Sequence, residues 1–151
     1  IIKIADLEHT KKTILDFGCG HKIFSRLLKN QKIINYDSKP EFTECESYEN
    51  LHFDIVIFNH VLMYMYPTEV EQLLDKIKNI NPNCELILSL GKQNLISKIA
   101  MFLSLNFKAH DGTRSSYKEQ IDIFFKKTEL IKKKTNVFAM TDIYYSKFKV
   151  N

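Results

Sequence analysis

Four short apolar runs, each about the length of a buried strand, punctuate the first part of the chain at 13–17, 32–36, 53–58 and 85–90. Their apolar positions are nearly continuous rather than alternating, as in parallel strands covered on both faces. Between them the period changes to that of a helix. Ile23, Phe24, Leu27 and Leu28 predict a helix over 22–29 with all four turned to the sheet. Pro67 and Thr68 open a helix over 68–79, with Val70, Leu73, Leu74, Ile77 and Ile80 as its stripe. The stretch 40–50 is polar and holds at most a rudimentary third strand near 43–45. Beyond residue 90 the pattern predicts a short helix over 94–103, a polar loop over 106–116 and a helix over 117–127. Two β-branched and aromatic runs, 129–135 and 142–150, follow as an antiparallel pair. Strands alternating with amphipathic helices describe a doubly wound, Rossmann-like α/β sandwich, and 1–151 reads as a single domain.

The first run carries the chemistry. It ends Asp16-Phe17-Gly18-Cys19-Gly20, an acid followed by two glycines one residue apart. Such a bend after a buried strand lets a ligand approach the main chain where Cβ atoms are missing. The second run ends in another acid, Asp37, where a carboxylate can accept from both hydroxyls of a ribose. Together they suit a nucleoside. A nicotinamide dinucleotide site would need a third glycine where Ile23 stands, so nucleotide-dependent oxidoreduction is disfavoured.

The succession ILDFGCG, INYD, FDIVIFNHVLMYMYPTEVEQLLDKI and CELILSL resembles the class I S-adenosylmethionine-dependent methyltransferases, and most closely their ubiquinone-biosynthesis-like branch acting on small molecules. The resemblance is firm over 13–90 and looser over 91–151. It implies a mostly parallel seven-stranded sheet in the order 3-2-1-4-5-7-6, with strand 7 antiparallel. It also implies S-adenosyl-L-methionine as cofactor and S-adenosyl-L-homocysteine as product. By position, Asp16, Gly18 and Gly20 would line the methionine part of the cofactor, with His21 reaching its carboxylate. Asp37 would hold the ribose, Glu44 and Cys45 would lie beside the adenine, and Asn59 and His60 would pass the sulfonium and methyl. The chain departs from the family at Lys22, often glycine, at Leu62-Met63-Tyr64, usually Leu-Glu-His, and at Pro82-Asn83-Cys84, usually Pro-Gly-Gly.

In-line methyl transfer asks mainly for alignment and exclusion of water, so the lack of a triad does not count against an enzyme. Candidate bases are His60, at the carboxyl end of a central strand, and His110, within His-Asp-Gly-Thr-Arg-Ser-Ser-Tyr. Tyr64, His110, Arg114 and Tyr117 are the candidate acceptor contacts. For that last stretch the competing reading is a capping box between Ser115 or Ser116 and Glu119. His9 and His52 read as surface residues.

Charge and composition adjust this picture only at its edges. Residues 112–151 hold 9 Lys/Arg against 4 Asp/Glu, and the remainder 13 against 14. That basic tail keeps an RNA ribose or ring methyltransferase as an alternative, although lysines on a helix and an edge strand account for it as well. Asn59-His60-Val61-Leu62 lacks the proline signature of nucleic-acid amine methylation. A domain that binds the cofactor without turning it over is the other alternative. Three dispersed cysteines suggest free thiols in a reducing cytoplasm and neither a metal site nor a disulfide framework. No apolar run is long enough to cross a bilayer. So little chain precedes the first strand that the N-terminal lid helix of such enzymes is expected to be absent or truncated, and the missing Met leaves room for residues ahead of Ile1.

Overall fold

The structure, a computed structural model, describes residues 1–91, 112–136 and 140–150. The first three apolar runs become β1 (Ile14–Phe17), β2 (Ile33–Tyr36) and β3 (Ile55–Asn59), and the fourth becomes β4 (Glu85–Gly91). These pair in parallel, and the C-terminal β5 (Thr128–Asn136) and β6 (Thr141–Phe148) add antiparallel, giving the order β2-β1-β3-β4-β6-β5. Helices α1 (Ile23–Leu27), α2 (Pro67–Ile80) and α3 (Tyr117–Lys127) complete the described elements. The helix expected over 94–103 lies outside the described residues.

Alternation along each strand separates two cores. Leu15, Val56, Phe58, Leu86 and Leu88 face α2 and α3, meeting Val70, Leu74, Ile77 and Phe124. Ile14, Ile55, Ile57, Ile87 and Ile143 face the other way, under Phe24 and Leu28 of α1 and under Ile4 and Leu7 of the N-terminal segment. That segment, 1–9, carries a short 3-10 turn at Ile2–Ile4 ahead of the first expected element. Its signal was the spacing of Ile4 and Leu7, one helical step apart.

Two expectations need correction. The sheet has six strands among the described residues rather than seven, because 43–45 forms no strand. The Glu44 amide still donates to the Asn35 carbonyl at 2.9 Å, but the chain then turns away. Tyr48 drops beneath the sheet edge, its ring 4.9 Å from Tyr36 and 5.3 Å from Phe17. Aromatic packing there replaces a row of ladder bonds. Helix α1 is one turn rather than two, and only Phe24 and Leu28 are buried; Ile23 and Leu27 are 50% and 64% exposed. A single turn turns its i and i+4 positions inward and leaves the next pair outside. The turn before β4, lacking the family's glycines, is instead made by Asn81, whose side-chain oxygen accepts from the Asn83 amide at 3.0 Å.

β5 is the sheet edge, and Lys132, Lys133 and Lys134 stand exposed along it. Charged side chains there discourage pairing with another chain. Among the described residues no helix is long and apolar enough to cross a membrane.

Candidate functional site

The bend after β1 is fixed by its glycines and by β2. Gly18 and Cys19 both donate their amides to the Tyr36 carbonyl, at 2.8 and 3.1 Å. Gly18 has φ +74°, and a Cβ there would come within 2.4 Å of Val61 Cγ2. No other residue fits without moving the loop after β3, which answers why glycine occupies this point. Gly20, at φ +46°, opens onto free space.

Two carboxylates flank the bend. Asp37, at the tip of β2, accepts from the Gly20 amide through Oδ2 and from the Lys39 amide through Oδ1, both at 3.0 Å. An ionised carboxylate has about four acceptor sites, so one on each oxygen remains for a pair of hydroxyls. Asp16, inside β1, is only 1% exposed, and its Oδ2 has no hydrogen-bond partner among the described residues. Burial, then the charge of Asp37, pushes the Asp16 carboxyl up to about 7. The same surroundings push the Cys19 thiol up to about 11, through burial first and then Asp16 and Asp37. A buried carboxyl of this kind either keeps its proton or, when ionised, gains from a cation placed against its unsatisfied oxygen.

Beside this lies a polar lattice. Asn35, buried in β2 next to Asp16, accepts from Ser25 Oγ at 2.9 Å and donates to Glu44 Oε2 at 2.7 Å. The other oxygen of Glu44 pairs with Lys22 Nζ at 2.9 Å. Hydrogen bonds from Asn35 and Lys22 hold the Glu44 carboxyl below its ordinary range. Glu44 therefore ties the glycine bend to the loop after β2, a role that Lys22 makes possible where the family often has glycine. Cys45 is half-buried with Sγ 3.8 Å from the Asn35 carbonyl, and His21 stands exposed with its ring 5.1 Å from Phe42.

At the tip of β3, His60 adopts φ +57°, an uncommon conformation for a residue with a side chain. Its amide donates to the Ser89 carbonyl at 3.0 Å, and its Nε2 lies 3.4 Å from Ser89 Oγ. Asn59, His60 and Ser89 line a cavity of about 740 Å³, walled by Ile4, Phe24 and Leu27 on one side and by the ends of β5 and β6 on the other. Ser89 had no sequence signal as a site residue; only its register beside Asn59 reveals it.

The remaining candidates separate. Tyr117 donates its hydroxyl to Asp142 Oδ2 at 2.7 Å and sits 2.6 Å from the Tyr144 hydroxyl, in the packing between α3 and β6. Burial and these partners raise its pKa strongly. Arg114 is exposed, its guanidinium stacked 4.8 Å from the Tyr66 ring, and Tyr64 is exposed on the 3-10 turn Leu62–Tyr64. The Arg114 amide donates to the Met63 carbonyl at 2.8 Å, so both residues belong to one clipped surface. Ser116 caps α3 by accepting from the Glu119 amide at 3.2 Å while Glu119 accepts from the Ser116 amide at 2.8 Å, the capping box foreseen as the competing reading. His110 lies outside the described residues. His9 and His52 have side chains 76% and 78% exposed. Among the described residues no three metal-ligating side chains gather.

A family model described as "Methyltransferase domain" matches residues 1–139. The chain belongs to that family, the S-adenosylmethionine-dependent methyltransferases. Solved structures agree in fold. The PH0226 protein of Pyrococcus horikoshii OT3 is 12% identical with a TM-score of 0.70, covering 98% of this chain and 88% of its own. Magnesium protoporphyrin IX methyltransferase of Synechocystis PCC 6803, with bound S-adenosylhomocysteine, is 16% identical at a TM-score of 0.59, over 97% and 78%. Mitomycin 7-O-methyltransferase MmcR is 14% identical at 0.66, and this methyltransferase domain spans 49% of its length. No curated protein matches this chain. These findings give the family without the ubiquinone-like branch.

Proposed function

We propose that this methyltransferase binds S-adenosylmethionine across the carboxyl ends of β1, β2 and β3 and methylates a small-molecule acceptor held in the adjoining cavity. One observation carries the reading: a fully buried aspartate, one oxygen of which has no partner among the described residues, lies beside a second carboxylate at a glycine bend. That arrangement fits a cofactor that brings an ammonium and a sulfonium. Bound there, S-adenosylmethionine supplies an electrophilic methyl group on a positive sulfur.

The chain's own residues have four tasks. Asp16 offers its unpaired oxygen to the ammonium of the methionine part. Asp37 offers its remaining lone pairs to the ribose while it pins Gly20. Gly18 keeps the floor of the site free of Cβ. Asn59 and His60 border both the cofactor end and the cavity, and His60, oriented by Ser89, takes a proton from an acceptor hydroxyl. Excluding water and aligning the acceptor supply most of the acceleration.

Calorimetric titration with S-adenosylhomocysteine tests this directly. Saturable one-to-one binding that Asp37→Ala weakens is the expected result, and a flat titration of folded protein would sink the reading.

A further inference from the structure

The cavity next to the cofactor end carries a charge pattern of its own. Asn59, Ser89, Ile143 and Lys134 lie opposite one another across β3, β4, β6 and β5 in a single register row, so their side chains share one face. Strand spacing of about 4.8 Å puts Lys134 about 14 Å along that row from Asn59. Between Ser89 and Lys134 the row is apolar, with Ile143 lining the same cavity as Phe24 and Leu27. Lys3 and Lys134 are the charged residues of the described lining, which includes no carboxylate. The opposite end of the sheet, at β1 and β2, carries Asp16 and Asp37. Acids therefore mark one end of the face and bases the other. A cationic methyl donor belongs at the acid end, and lysines at the far end would repel it.

We propose that the acceptor is an apolar-bodied organic anion: its nucleophilic end lies near Asn59 and His60, its body packs on Ile143, Phe24 and Leu27, and its carboxylate or similar group is held at Lys134 and Lys3. A volume of about 740 Å³ is within the range that takes a drug-sized ligand. This rests on the methyltransferase reading above and names the substrate class of that site.

The test uses 2-naphthoate and its neutral isostere 2-naphthamide, titrated into protein saturated with S-adenosylhomocysteine. The naphthoate binds about five-fold or more tightly than the amide, the effect of an exposed ion pair at its upper end. In about 0.5 M salt, where charges act over only a few ångströms, the preference shrinks. Lys134→Glu, and more fully Lys3→Glu/Lys134→Glu, abolishes the preference while S-adenosylhomocysteine binds as in the parent protein. Equal binding of the two probes, no binding of either, or a preference that survives both lysine changes overturns the proposal. A failure of the cofactor itself to bind is a separate result: it sinks the methyltransferase site, and the probes can still be compared on the free protein.

Discussion

Two aspartates of this chain are equally buried and live opposite lives. Asp142 in β6 is 2% exposed, and Tyr117, Thr135 and Lys133 all turn toward it: the hydroxyls of Tyr117 and Thr135 lie 2.7 and 2.5 Å from its oxygens and the Lys133 ammonium 3.9 Å. Asp16 in β1 is 1% exposed, with one oxygen unpaired among the described residues and another carboxylate for a neighbour. A buried charge costs free energy unless it is hydrogen-bonded or paired. The fold meets that cost at Asp142, which knits α3 to the terminal hairpin. It leaves the cost standing at Asp16, where a ligand can meet it. Burial alone does not distinguish structure from function; the supply of donors does.

The largest effect separates the two by sign. Asp142→Ala removes the acceptor shared by the half-buried Tyr117 hydroxyl and the exposed Thr135 hydroxyl, and is expected to destabilise the protein by about 3 kcal/mol in urea denaturation, since each hydrogen bond to a charged group is worth about 1.5–3 kcal/mol. Asp16→Asn removes a charge that burial and Asp37 disfavour and is expected to stabilise the free protein by about 1 kcal/mol or more at pH 8, because a pKa shift of one unit is worth about that much. The same change should remove most affinity for S-adenosylhomocysteine. If both substitutions destabilise alike, the contrast is false.

The contrast also shows what could be read from the residues in order. The glycine bend, the two acids that flank it and the central parallel strands were legible, because each depends on a short local pattern: an apolar run, then residues that tolerate a tight turn. The missing strand was not, since Tyr48 competes for the sheet edge through contacts with Phe17 and Tyr36 that lie far off in sequence. Nor was the commitment of Tyr117 to Asp142 or of Glu44 to Lys22 and Asn35, each a pairing set by tertiary packing. Exposure of Ile23 and Leu27 escaped for a simpler reason. Their periodicity was correct, but one turn of helix has room to bury only one side.

Next in size is the proposed ribose contact. Asp37→Ala is expected to weaken S-adenosylhomocysteine about ten-fold or more, since it removes charge-assisted hydrogen bonds worth about 1.5–3 kcal/mol. Asp37 also holds the Gly20 amide, so Asp37→Asn, which keeps one acceptor, should fall between the parent and the alanine variant. Equal affinities in all three proteins would remove Asp37 from the site.

A smaller effect is read from pH. The folded Asp16 carboxyl is raised to about 7 from 3.8, so between those values the folded protein binds a proton that the unfolded chain has released. Stability from this group is therefore complete below about pH 4 and is lost as pH rises through about 7. Binding of the cofactor's ammonium favours the ionised carboxylate, so affinity should rise over the same interval and then level. Asp16→Asn should flatten both profiles. A pH-independent affinity in the parent protein would mean that the ammonium is held elsewhere.

The smallest effect decides what Tyr117 is for. Its hydroxyl donates to Asp142 and touches the Tyr144 hydroxyl, while its ring packs with the α2–α3 core. Tyr117→Phe keeps the ring and removes one hydrogen bond, and Thr135 and Lys133 still face the carboxylate. The expected loss is about 1 kcal/mol, since the remaining donors cover part of the deficit. Binding of S-adenosylhomocysteine and of an anionic acceptor should be unchanged. A loss of acceptor affinity with stability intact would instead place Tyr117 at the acceptor site, and it would mean that the well-supplied aspartate corner has a share in recognition.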